Sequence, residues 1–61
     1  MTDAKQKHSI LIIDDDKFLS DMYSIKFTES GFEVSVADSG QACLELMEKG
    51  VHPDIFLVDI I

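Results

Sequence analysis

Residues 9–16 read SILIIDDD: an aliphatic run followed at once by three aspartates. Ser9 to Ile13 is too short for a helix and apolar at odd and even positions alike, the pattern of a strand buried on both faces of a sheet. Asp14, Asp15 and Asp16 end it abruptly. Asp16 can cap a following helix, because free backbone N–H groups at a helix start favour negative charge. From Lys17 to about Ser30, the apolar residues Phe18, Leu19, Met22, Tyr23, Ile25 and Phe27 fall largely three and four apart. That spacing predicts an amphipathic helix, with Gly31 as its stop and Phe18, Met22 and Phe27 in the core.

Phe32 to Ala37 (FEVSVA) alternates apolar and polar, as a half-buried strand does. Asp38, with Gln41 three residues on, resembles a capping box opening a second helix that ends at Gly50. Leu44, Met47 and Cys43 are expected on its inner face. Pro53 keeps His52 extended, so Val51 to Asp54 is a connector. Ile55 to Val58 (IFLV) is a third, wholly apolar strand, and it too ends in an aspartate, Asp59. Strand, helix, strand, helix, strand is the alternation of an α/β fold with a parallel sheet. Since only the second strand alternates, it belongs at an edge, in the order 2-1-3. Right-handed crossovers then place the two helices on opposite faces. Met1 to His8 is polar and without period, and is expected to be a flexible arm ahead of one domain over residues 9–61.

The 61 residues carry twelve Asp and Glu against five Lys and no Arg, a net charge of −7. Such a surface repels phosphates, which excludes nucleic acid and acidic membranes as partners, and favours cations. No apolar run approaches the ~20 residues of a membrane span. The polar start is no signal peptide, so a cytoplasmic location is expected. One cysteine allows no disulfide within the chain, and His8 and His52 stand alone. Cys43 reads as buried packing rather than redox chemistry.

The order 2-1-3 makes a topological switch between strands one and three, where open α/β sheets bind ligands at the carboxyl ends of the strands. Asp14 and Asp15 end the first strand and Asp59 the third. Clustered carboxylates need a cation or protons to be tolerable. Magnesium suits them, taking one or two carboxylates and otherwise water or phosphate oxygens. A carboxylate beside such an ion can act as a nucleophile toward phosphorus.

ILIIDDDKFL, SGFEVSVADSGQACLELM and PDIFLVDII together resemble the first half of a response-regulator receiver domain, with an acidic pair after strand one and a lone Asp about 45 residues later. The resemblance covers Ser9 to Ile61. It implies the βαβαβ half of a flavodoxin-like, doubly wound parallel sheet and a role in two-component phosphorelay signalling. By it, Asp59 is the phosphoacceptor, Asp15 binds magnesium directly and Asp14 through water. The backbone carbonyl of Ile61 supplies a further metal ligand, and the partner is a histidine kinase or phosphotransfer protein. Receivers also use a Ser or Thr after strand four and a Lys after strand five, neither of which this chain holds. It is accordingly expected to be no enzyme and to accept phosphate poorly alone.

Two alternatives belong to other classes. Asp14-Asp15-Asp16 satisfies the Asp-x-Asp opening of haloacid-dehalogenase-type phosphohydrolases, although Phe18 and Ala37-Asp38 depart from that family's pattern. A self-associating structural unit is the other. The apolar third strand is expected at an open edge, so a homodimer through it and exposed helix faces is anticipated.

Overall fold

A computed structural model of the chain describes residues 7–59. The expected arm lies, apart from Lys7 and His8, outside the described residues. The elements are β1 (Ser9–Asp14), α1 (Lys17–Glu29), β2 (Glu33–Ala37), α2 (Gly40–Glu48) and β3 (Ile55–Asp59). They form an α/β unit whose three strands lie parallel in the order β2-β1-β3. β1 is thus the middle strand. Leu11 and Ile13 pack with Ala37 of β2 and Cys43 of α2, with Ala42 and Leu46 beside them. Ile10 and Ile12, which project from the opposite face of β1, are buried as well. Both helices lie against β1 and β2, and among the described residues neither reaches β3.

Each helix is bounded by the chemistry its sequence supplies. Asp16 caps α1, accepting a hydrogen bond from the Leu19 N–H at 3.2 Å. Both helices end in the same left-handed turn. Gly31 has φ +96° and Gly50 has φ +106°, angles that a side chain disfavours. After α1 the Phe32 N–H reaches back to the Phe27 carbonyl and the Gly31 N–H to that of Thr28, the paired bonds of a Schellman turn. The rings of Phe27 and Phe32 meet edge to face across it, 5.6 Å apart.

Three expectations are corrected. Ser39, not Asp38, caps α2, its hydroxyl accepting from the Ala42 N–H at 3.1 Å. Asp38 directly follows β2 and is exposed instead. Leu44 is 56% exposed and Met47 is also outside the core, while Ala42 and Leu46 pack inward beside Cys43. The apolar perimeter of α2 is wider than the two strands it covers. Phe18 is 72% exposed and Met22 half exposed, because α1 buries the other side of its circumference: Ser20 fully, and Leu19, Tyr23 and Phe27 in part.

At the amino ends of the strands a compact clasp ties β1 to β3. The Ser9 N–H donates to Asp54 Oδ2 at 2.9 Å, and the Asp54 N–H donates back to the Ser9 carbonyl at 2.9 Å. The Ser9 hydroxyl donates to the His52 carbonyl, and His8 Nδ1 stands 3.7 Å from the same carboxylate. The Ser9 N–H, aided by the His8 ring, holds the Asp54 carboxyl below its ordinary 3.8.

Two outcomes follow in urea unfolding. Leu11→Ala should lower stability by about 2–5 kcal/mol, whereas Leu44→Ala should stay within about 0.5 kcal/mol; equal losses would contradict the packing described. A lowered folded-state pKa means that Asp54 contributes stability above pH 3.8, lost as pH falls through the lowered value. Asp54→Asn should therefore lower stability near neutrality and flatten its decline in acid. Superimposable stability–pH curves for parent and variant would count against the clasp.

Candidate functional site

The parallel registers carry the aspartates to one end of the sheet. Ile13 pairs with Ala37 and with Val58, and Asp14 pairs with Asp59. Asp38 follows Ala37 directly, so the three strands finish in a row, Asp38, Asp14 and Asp59. Neighbouring strands are ~4.8 Å apart, and paired residues project to the same face. The row therefore places Asp14 and Asp59 side by side at the switch between β1 and β3. Sequence reasoning assigned Asp38 to a helix cap and missed its place in this row. The available signal was that it follows an apolar strand as Asp14 and Asp59 do.

The members of this row differ sharply in environment. Asp14 is 2% exposed. Its Oδ1 accepts the Asp16 N–H at 2.8 Å, a tight local turn that starts α1, while Oδ2 is buried without a hydrogen-bond partner. Asp15, Asp38 and Asp59 are exposed. Asp16 is committed to capping and so stands apart from the site, as expected. The backbone carbonyl of Ile61, expected as a metal ligand, lies outside the described residues.

A groove of about 600 Å³ opens beside Asp14 and Asp15, between the start of α1, the end of β2 and α2. Its apolar floor includes Val36, Ala37 and Leu46, and Asp38 and Glu45 add acid. Asp59 is not on its lining, so Asp14 and Asp15 stand between the groove on one side and Asp59 on the other. Lys17 lines the groove, yet its ammonium bonds Asp21 at 3.3 Å, one turn along α1. None of the close ion pairs among the described residues involves Asp14, Asp15 or Asp59.

Whether these residues fit a divalent ion can be judged from the donors. A buried carboxylate oxygen with no partner is a polar group that a cation or a donor would satisfy. Asp15 adjoins it in the chain and Asp59 adjoins it across the ladder, all hard oxygen donors of the type magnesium takes. Among the described residues, no three His, Cys, Asp or Glu side chains are gathered closely enough to hold a metal as they stand. Asp15 and Asp59 are both exposed and would close on the ion by rotation of their side chains.

No family model matches this chain, and no solved structure matches it significantly.

The orphan oxygen of Asp14 has a measurable consequence. Leaving a buried acceptor unpaired costs about 1–3 kcal/mol, and more for a charged group. Asp14→Asn, which keeps the shape and removes the charge, should raise the urea midpoint in metal-free buffer. A lower midpoint would show that the carboxylate is already satisfied in the fold.

Proposed function

We propose that the chain is a receiver-like phosphoacceptor unit of two-component signalling, with Asp59 as the acceptor beside a magnesium site of Asp14 and Asp15. The observation that carries this reading is the register of Asp14 with Asp59 at the carboxyl ends of adjacent strands. It supports the reading because one cation held between those strands would touch the acidic pair and the acceptor together. Magnesium, when bound, would offset charge on an incoming phosphoryl group. The chain's own part is to hold Asp14 rigidly through the Asp16 N–H and to leave Asp59 accessible. The kinase or phosphotransfer partner and the cytoplasmic setting belong to the same proposal. No helix among the described residues is long and apolar enough to cross a membrane.

A phosphohydrolase of the dehalogenase type fits less well. It would use Asp16 as its second acid, whereas Asp16 Oδ1 is engaged by the Leu19 N–H. Phosphoryl transfer rests largely on positioning and charge stabilisation. No lysine is paired with Asp14, Asp15 or Asp59 among the described residues. Acceptance from a small donor is accordingly expected to be slow.

Magnesium or manganese titration followed by NMR should show weak binding, lost in Asp15→Ala and weakened in Asp59→Ala. Incubation with acetyl phosphate and mass spectrometry should show slow modification at Asp59 and none in Asp59→Ala. Unchanged metal binding in both alanine variants would overturn the site. Rapid stoichiometric modification would show that the described residues already suffice for transfer.

A further inference from the structure

The groove beside Asp14 joins an acidic end to an apolar floor, and the magnesium site uses only the acid. Asp14 lines the groove at 2% exposure, and its Oδ2 meets no donor. The donors that share the lining are engaged elsewhere or distant. The Ser20 hydroxyl, buried there, donates to the Lys17 carbonyl at 3.1 Å, and the Lys17 ammonium bonds Asp21. Lys49 caps the far end of α2, ~15 Å along the helix axis from its start beside Asp38. Val36 pairs with Ile12, so it projects from the same face of the sheet as Asp14. It is 41% exposed, an aliphatic side chain left open near a buried carboxylate.

We infer that this groove binds a small aliphatic ammonium. The head donates to Asp14 Oδ2 between the exposed carboxylates of Asp15 and Asp38, and the chain lies on Val36, Ala37 and Leu46. An ammonium carries three donors and one positive charge, which suits one orphan acceptor with carboxylates around it. A bare metal ion satisfies the oxygen but leaves the floor wet. A neutral chain covers the floor but leaves the oxygen unpaired. About 600 Å³ is within the range of small-ligand sites, and a net charge of −7 draws cations toward it. The site shares Asp14 and Asp15 with the proposed magnesium site but not Asp59, which is off the lining. The two ligands therefore compete, and neither site requires the other.

The test titrates n-butylammonium chloride into the full 61-residue chain at constant ionic strength, followed by amide NMR shifts. Shifts should concentrate at Asp14, Ala37, Asp38 and Leu46. Each buried methylene should tighten binding about fourfold, so butylammonium should bind at least about tenfold more tightly than methylammonium. 1-Butanol, with the same chain and no charge, should bind at least about tenfold more weakly than butylammonium. Asp14→Asn should weaken the amine at least about tenfold, and Asp38→Asn about threefold. Should Asp14→Asn fold poorly, the exposed Asp38 decides the matter. Asp59→Ala should weaken magnesium and leave the amine within about twofold. Amine binding in a chain that takes no magnesium would overturn the metal site and leave this one standing. Affinity that ignores chain length, shifts scattered over the acidic surface, or undiminished binding in Asp38→Asn would overturn the proposal.

Discussion

Everything in this molecule depends on burying β1 on both faces while pairing it on both edges. Four consecutive aliphatic residues, Ile10 to Ile13, cannot be hidden by one helix, because alternate side chains leave opposite sides of the strand. Two covering layers and two flanking strands are the least that satisfies them. A right-handed crossover into β2 and a return across β1 into β3 supplies all four, with α1 and α2 as the layers. The remaining features follow from that arrangement. The reversal of direction creates the switch between β1 and β3, and the register that pairs Asp14 with Asp59 brings these aspartates to one level.

The acidic end opposes the stability of the fold that positions it. Asp14 continues the buried strand and so is itself buried, with one carboxylate oxygen unpaired. A residue chosen for packing at that position would be apolar, as its four predecessors are. Free N–H groups at the start of α1 offset part of the charge, and Asp16 uses one of them directly. Departures of this kind from local rules concentrate where a site is built. On the proposed reading, a carboxylate locked by its neighbour's N–H with exposed acids beside it would serve a cation rather than consolidate a core.

Much of this was legible in the residues. The contrast between continuous apolar runs at Ile10–Ile13 and Ile55–Val58 and the alternation at Glu33–Ala37 was enough to order the strands. Asp16, Gly31 and Gly50 marked helix ends because each has one dominant local role. Where two neighbours offered the same chemistry, the reading slipped by one: Asp38 and Ser39 are both good caps, and the end of β2 at Ala37 decided between them. Helical spacing also cannot say which apolar stripe is covered. In α1, Phe18, Met22 and Ile25 form one stripe and Leu19, Tyr23 and Phe27 another, and only the second lies toward the sheet. The convergence of Asp14 with Asp59 followed from strand order. The burial of Asp14 did not, since it depends on how far β1 continues beneath its neighbours.

Residue-resolved amide hydrogen exchange on a dilute sample tests the account most directly, because it reads the pairing of each strand edge separately. With β1 as the doubly paired centre, the amides of Ile10 to Ile13 should be the slowest to exchange. In β3 the Leu57 and Asp59 amides, bonded to β1, should be protected, and those of Phe56 and Val58 should exchange nearly as free amides. Uniform protection along β3, or faster exchange in β1 than in β2, would contradict the arrangement on which the site rests.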